Sequence, residues 1–477
     1  MASSDSDNRI GKAVAKYGIS KSAARNSLQG APWGSMEKLL ANLWSPDNPD
    51  GFIQRVFLGM GENSLLHEEI SIYIRENFTI NPSDHLAYSV GPLGSPRLRK
   101  ALANFFNTNF KAHQHVLPSE VIVLPGAISV LETLSWAVCN DNEGIIVPVP
   151  FYPGFQSSVG ERARGRLVPA TFQHIEGYES LDDVFKPRMN REALEGALRN
   201  ATRDGVKVRA VMMTNPHNPL GRCYPAETLE EVARFCGRNN LHLICDEVFA
   251  MSVYKNPHGI DLSPFASVLS LDLSDYIDPQ FVHVAYGMGK DFCANGLRIG
   301  AFHSRNEGLM TALANTCITK WVPYLAQDIW AKMLEDGEFL DAFLTKNRKL
   351  LQEHCGVLTE FLDQHKIPYY ANINAGIFVW VNLGSYLYHK PQGNGGSDQP
   401  STEASPSDIQ VHRNRESDLL KRCSNGGVII SSGSSYSTEE LGWFRISFTV
   451  EKQALHVGLQ RLLKCLQAIE TENRKAS

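Results

Sequence analysis

Four short stretches, in order along the chain, carry side chains able to do chemistry: NPHNPLG at 215–221, CDEVF at 245–249, GKDFCANGLRIG at 289–300 and WFRISF at 443–448. Asp246 ends the strand-like run LHLIC, and open α/β sheets bind ligands in the crevice beyond the carboxyl ends of their strands. Lys290 follows the run HVAYG and offers an amine, a group that serves as nucleophile or proton carrier. Arg445 lies in a strand-like run, and its planar guanidinium suits bidentate capture of a carboxylate. Further upstream, VLPGAISVLE reads as strand, tight turn and helix start, so Gly126, Ala127 and Ile128 present backbone N–H groups to an anion. Taken singly, each feature has an ordinary reading: a solvated lysine, a loop-capping aspartate, a structural turn. Their joint order is what carries information.

The elements that must position these groups follow from the pattern between them. Apolar runs at 121–126, 144–150, 209–216 and 241–247 alternate with helical periodicities, predicting βα units around a largely parallel sheet. Leu229, Val232, Ala233 and Phe235 recur at helical spacing, which predicts a crossover helix ending near Gly237 and Asn239. Beyond it, GIFVWVNL and WFRISFT read as isolated strands and EKQALHVGLQRLLKCLQAIE as an amphipathic helix, a smaller α+β unit. The predicted division is residues 1–94 as an N-terminal segment and part of the small domain, 95–335 as the large domain, and 336–477 as the C-terminal small domain. Residues 390–408, rich in Pro, Gly and Ser, are expected to form a disordered insertion.

In this order and setting the four stretches resemble class I/II aminotransferases and 1-aminocyclopropane-1-carboxylate (ACC) synthases, enzymes of fold-type I that use pyridoxal 5'-phosphate (PLP). The resemblance runs from about residue 55 to the end, apart from the insertion, and is strongest to ACC-synthase-like proteins of fungi. It implies an α/β fold with a mainly parallel central sheet in a large PLP-binding domain and a small α+β domain. It also implies that Lys290 holds the cofactor as a Schiff base and moves the Cα proton, while Asp246 keeps the pyridine nitrogen protonated. By the same resemblance Arg298 and the Gly126–Ile128 turn bind the phosphate, Tyr152 of FYPGF stacks on the ring and Asn218 reaches the phenolic oxygen. Arg445 then takes the substrate carboxylate. LGMGENS at 58–64 is similar to an ACC-synthase segment and makes Glu62 a candidate on the substrate side.

Several positions depart from the family pattern. Phe249 stands where a tyrosine usually donates to the phenolic oxygen, a loss expected to raise the pKa of the lysine-linked cofactor. Gly287 and Gly289 replace two serines on the phosphate side, and Ile128 replaces a threonine. Pro92 aligns with a substrate-side tyrosine, for which Tyr88 is the nearby substitute. The resemblance therefore implies an aminotransferase acting on an α-amino acid, with fungal members in secondary-metabolite pathways. A carbon-sulfur lyase or ACC-synthase-like elimination is the alternative, and an impaired PLP-binding protein a third reading. Family members usually form homodimers with sites at the interface, and the same is expected here.

The bulk properties narrow the classes. With 43% hydrophobic and 20% charged residues, the composition is that of a soluble globular protein. A net charge of -5 without long like-charge blocks predicts no nucleic-acid partner. Nine cysteines without a C-x-x-C pair predict neither a metal site nor a disulfide framework, and fit reduced thiols. A polar N-terminus and the absence of an 18-residue apolar run predict no targeting signal and no membrane span, hence a cytoplasmic protein.

Overall fold

A computed structural model gives the architecture and describes residues 2–28, 37, 40, 42–45, 54–387 and 406–476. Twelve strands follow in chain order: β1 (Val56–Phe57), β2 (Val121–Leu124), β3 (Gly144–Pro148), β4 (Arg166–Ala170), β5 (Val208–Thr214), β6 (His242–Asp246), β7 (Val282–Gly287), β8 (Gly300–Ser304), β9 (Phe378–Asn382), β10 (Val428–Ile429), β11 (Ser431–Ser432) and β12 (Trp443–Ser447). Seven of them form one sheet in the order β2-β8-β7-β6-β5-β3-β4. Its pairs are parallel except at β8, which runs antiparallel to both β2 and β7. The interior strands are buried along nearly their whole length, as near-continuous runs such as VHVAYG and HLICD require when helices cover both faces. The exposed strand β4 contains Pro169, tolerated because β4 lies at the sheet edge.

Helices between the strands start where the sequence supplies caps. Ser95 accepts from the Leu98 amide at 3.0 Å and Pro96 occupies the first turn of Pro96–Thr108. The crossover helix spans Ala226–Arg238 with its apolar stripe buried. The long helix Gly337–Gln364 is capped by Asp336.

A second sheet, β11-β12-β9, is antiparallel, with Arg445 opposite Trp380 on one side and Ser431 on the other. Strand β1 pairs in parallel with β10, so the segment near residue 56 is stitched to residues near 428. One apolar cluster runs from Val56 to Ile469, while Ile10, Ala13 and Ala24 of the two N-terminal helices form a separate small cluster. Among the described residues no helix is long and apolar enough to cross a membrane, and no group of His, Cys, Asp and Glu could hold a metal ion.

The expected insertion at 390–408 lies outside the described residues except at 406–408. Residues 406–408 open the helix Pro406–Asn425, with Pro406 at its first position, where its fixed φ and missing N–H suit a helix start. All nine cysteines are free thiols. Cys423 and Cys465 nevertheless lie with their Sγ atoms 3.5 Å apart, a proximity their spacing in sequence does not reveal.

Candidate active site

Asp246 is the last residue of β6 and is 4% exposed. Its Oδ1 is buried without a hydrogen-bond partner among the described residues. Burial pushes this carboxyl up to about 7, against the Val248 amide and the Lys290 ammonium, which pull it down. A buried acceptor left over at a strand end is costly unless a ligand donor completes it. A protonated pyridine nitrogen is such a donor.

Lys290 sits in the single turn Met288–Asp291 directly after β7. Its Nζ donates to the carbonyl of Gly61. Burial, and then the nearby Arg445 cation, hold its pKa down to about 8, while Asp246 and Glu62 act in the opposite direction. The amine is thus substantially neutral near pH 8, as a nucleophile or proton acceptor must be.

At the anion end, Gly126 has φ of +84° and precedes the helix Ala127–Val138, whose first N–H groups have no intrahelical acceptors. A Cβ on Gly126 would lie 2.7 Å from Arg298 Nη2, so the guanidinium rests directly against this turn, and the positive φ is what favours glycine there. Arg298 itself adopts the left-handed conformation with φ of 52° and donates to the Asn295 carbonyl at 3.0 Å. The turn and the arginine form an anion cradle that fits a phosphate.

The opposite wall is Arg445, 4% exposed, whose Nη1 donates to Asn218 Oδ1 at 3.1 Å and Nη2 to the Gly59 carbonyl at 3.2 Å. Its guanidinium lies over Phe378 and Tyr436 at 4.7 and 5.2 Å from the ring centroids. Its Nε is buried and unpartnered among the described residues. Tyr152 lies within electrostatic reach of Arg445, Asp246 and Arg298, and burial pushes its phenol up. Gly154 lets this ring cross the turn, since a Cβ there would lie 2.3 Å from Tyr152 Cε1.

Lys290, Asp246, Arg445, Arg298, Asn218, Tyr152, Glu62 and the Gly126–Ile128 turn therefore converge. Phe249 is buried and packs edge-on against Phe378 at 5.4 Å, extending the aromatic floor beneath Arg445. Tyr88 does not join this cluster within the chain: it is 88% exposed and rests on Trp321. Glu62 lines a cavity of about 560 Å³ with His67, Arg75 and Asn295. His217 of the NPHNP stretch is held neutral by burial, down to about 3, and accepts from the Leu220 amide, so it shapes the turn.

Sequence reasoning missed Gly61, Phe378 and Tyr436. Gly61 lies in the LGMGENS stretch, of which only Glu62 was singled out, and no local pattern marks Phe378 or Tyr436, which reach the site from distant segments. It also read Gly289 only as a lost hydroxyl. A Cβ at that position would lie 2.3 Å from Asn295 Oδ1, so Asn295 occupies the space a serine would need.

A family model described as aminotransferase class I and II matches residues 55–462. The chain belongs to the class I and II aminotransferases. Similar proteins of this family include a probable aminotransferase, tcpI, of Claviceps purpurea (strain 20.1), 33% identical over 424 residues that cover 87% of this chain and 90% of that one. The human ACC synthase-like protein 1 is 30% identical over 420 residues, 88% of this chain and 77% of its own length. Among solved structures, an aspartate aminotransferase double mutant of Thermus thermophilus superposes with a TM-score of 0.67 at 19% identity, covering 94% of this chain and 99% of that one. The class I and II aminotransferases are PLP-dependent, and the orphan Asp246 oxygen, the half-buried Lys290 amine and the Gly126–Arg298 cradle fit that cofactor.

Proposed function

We propose that the protein is an aminotransferase acting on an α-amino acid, with Lys290 as cofactor anchor and proton carrier. The observation that carries this reading is the placement of the half-buried, partly neutral Lys290 amine between an unpartnered Asp246 carboxylate oxygen and the Arg445 guanidinium. Bound here, PLP supplies an electron sink for the negative charge that develops when Cα loses its proton. Asp246 would hold the pyridine nitrogen protonated, and the Ala127 and Ile128 amides with Arg298 would hold the phosphate against the Gly126 turn, whose own amide donates to the Leu124 carbonyl. Tyr152 would cover the ring face and Asn218 would donate to the phenolic oxygen through Nδ2, a group separate from the Oδ1 that accepts from Arg445. Arg445 receives the substrate carboxylate, which replaces Asn218 and Gly59 as its acceptors and fixes the amino acid with Cα facing Lys290. The Lys290 amine, held near pH 8 by burial and Arg445, then takes the proton from Cα and carries it onward.

The probable-aminotransferase names of the fungal relatives support this reaction over elimination. Incubation with a panel of amino acids should yield pyridoxamine phosphate and the matching oxo acid. Release of thiol, or of pyruvate with ammonia, would place the reaction among the lyases.

We also propose a large domain at 95–335 and a small one built from 336–477 with the segment before residue 95. A homodimer is part of the same reading. Leu86, Tyr88 and Ile318 leave 76%, 88% and 67% of their surfaces exposed, an apolar group of the kind that partners cover. In that assembly Tyr88 is available to a neighbouring site. Sedimentation at micromolar concentration should give twice the mass of the chain, and a monomer would refute the assembly. Nine free thiols support a reducing, cytoplasmic setting.

A further inference from the structure

Behind Lys290 lies a group of polar side chains that the reaction does not use. Asp291, Asn347, Asn63, Ser252 and Tyr286 are each fully buried. The Asp291 carboxylate accepts from the Met251 amide at 2.8 Å, the Ser252 hydroxyl at 2.6 Å and the Tyr286 hydroxyl at 2.9 Å. Its main-chain carbonyl accepts from Asn347 Nδ2 at 3.2 Å. Asn347 Oδ1 in turn accepts from Asn63 Nδ2 at 3.0 Å. Two residues before Asn63 is Gly61, whose carbonyl accepts from Lys290 Nζ.

These contacts close a ring. The backbone of Lys290 is fixed through Asp291, and its Nζ is fixed through Gly61, and the two fixings meet at the Asn347–Asn63 hydrogen bond. A one-turn helix has too few internal bonds to hold itself, so the register of Met288–Asp291 has to come from such outside contacts. The loop that carries Gly61 is tied on its other side to Thr449, which donates through Oγ1 to the Glu62 carbonyl at 2.5 Å and accepts the Ser64 amide at 3.1 Å. Thr449 lies four residues beyond Arg445. One loop thus spans from the lysine to the strand that carries the carboxylate-binding arginine.

We propose that Asp291, Asn347 and Asn63 are positioning residues that set the Lys290 amine against the substrate loop and, through it, against Arg445. The proposal rests on the assignment of Lys290 as the reactive amine. It attributes to the Asn347–Asn63 bond a role in reactivity separate from its role in stability.

The test uses the full chain with N347L, N63L and the double variant N63L/N347L. Each single variant leaves a buried amide without its partner and should melt at lower temperature, whereas the double removes both amides and should recover part of that loss, the Asp291 carbonyl still lacking its donor and the Leu65 amide its acceptor. Expected in the double variant is a kcat about tenfold below wild type with KM changed less than threefold, despite the partly recovered melting temperature. The rate at which cyanate modifies Lys290 in the cofactor-free protein, read by peptide mass spectrometry, should differ from wild type by about threefold or more in the double as well. A double variant that recovers kcat and the wild-type cyanate rate together with its melting temperature would overturn the proposal and leave a purely structural network. If a single leucine variant does not fold, N347S supplies the same readouts with less bulk. A wild-type protein lacking any visible PLP band that depends on Lys290 would instead overturn the functional assignment itself, whatever the variants do.

Discussion

The two sides of the site are built differently. The proposed cofactor side is drawn from one sheet between residues 121 and 304: the turn after β2, the end of β6, the turn after β7 and Arg298 just before β8. The substrate side is assembled from Gly59–Asn63, Phe378, Tyr436 and Arg445, which come from different segments and a different sheet. Strand ends of a buried sheet are fixed by the ladder itself. The substrate side shares one apolar core with the cofactor side, and at the site itself meets it through hydrogen bonds between distant segments, such as Arg445 to Asn218, Lys290 to Gly61 and the Phe151 amide to the Tyr436 carbonyl. Changes on the first side should therefore act on cofactor binding and proton chemistry, and changes on the second on the capture of the amino acid.

The largest break should come from Asp246→Asn, which removes the charge proposed to hold the pyridine proton. Turnover should fall by about 10³-fold or more, as for loss of a central acid-base or electrostatic group. Its stability effect has the opposite sign. A carboxyl whose folded pKa is raised to about 7 weakens the fold increasingly as pH rises from about 4 to 7, because the unfolded chain ionises first. The cofactor-free variant should thus melt higher than wild type above pH 7, with the gain vanishing toward pH 4. A lower melting temperature throughout would show that Asp246 is stabilised by partners the structure does not contain.

Next in size is Arg445→Met. Removing one partner of a buried bidentate pair costs roughly 3 kcal/mol or more, so kcat/KM for amino acids should fall by about 10²-fold or more. The affinity for PLP should change less than threefold, which is the contrast the two-sided construction requires. Loss of the Arg445 cation should also raise the Lys290 pKa, shifting the pH profile of cyanate modification to higher pH. Equal losses in cofactor and substrate binding would erase the distinction between the sides.

On the cofactor side, Arg298→Ala should weaken PLP binding by about 10- to 100-fold through one charged phosphate contact. Pyridoxal, which lacks the phosphate, should bind equally to both proteins. Gly289→Ser has first to turn the half-exposed Asn295 amide aside, so its gain in PLP affinity should be smaller than the family pattern taken alone predicts. The smallest effect is expected from Phe249→Tyr. A phenol added to the aromatic floor would supply the missing donor and lower the pH midpoint of the visible PLP band.

How much was legible in the sequence follows the same division. Strands β2, β3, β5 and β6 and the crossover helix could be read because their apolar periodicity is local, and Lys290, Asp246 and Arg298 because they lie within contiguous motifs. Gly61 and Lys290 are 229 residues apart, and Asn63 and Asn347 are 284 apart, so no window of sequence contains either contact. Arg445 was legible only through its motif, and the aromatic floor of Phe378 and Tyr436 not at all. Gly289 marks a different limit. The missing hydroxyl was visible in sequence, but the steric reason, Asn295 folding back over that glycine, exists only in three dimensions.

The central claim is that Lys290 is the amine that binds the cofactor, and the direct measurement is the absorption spectrum of purified protein supplied with PLP, for wild type and Lys290→Ala, across pH. A visible band should form in wild type, titrate with pH and be lost in the variant. Absence of the band in wild type, or its persistence without Lys290, would contradict the account.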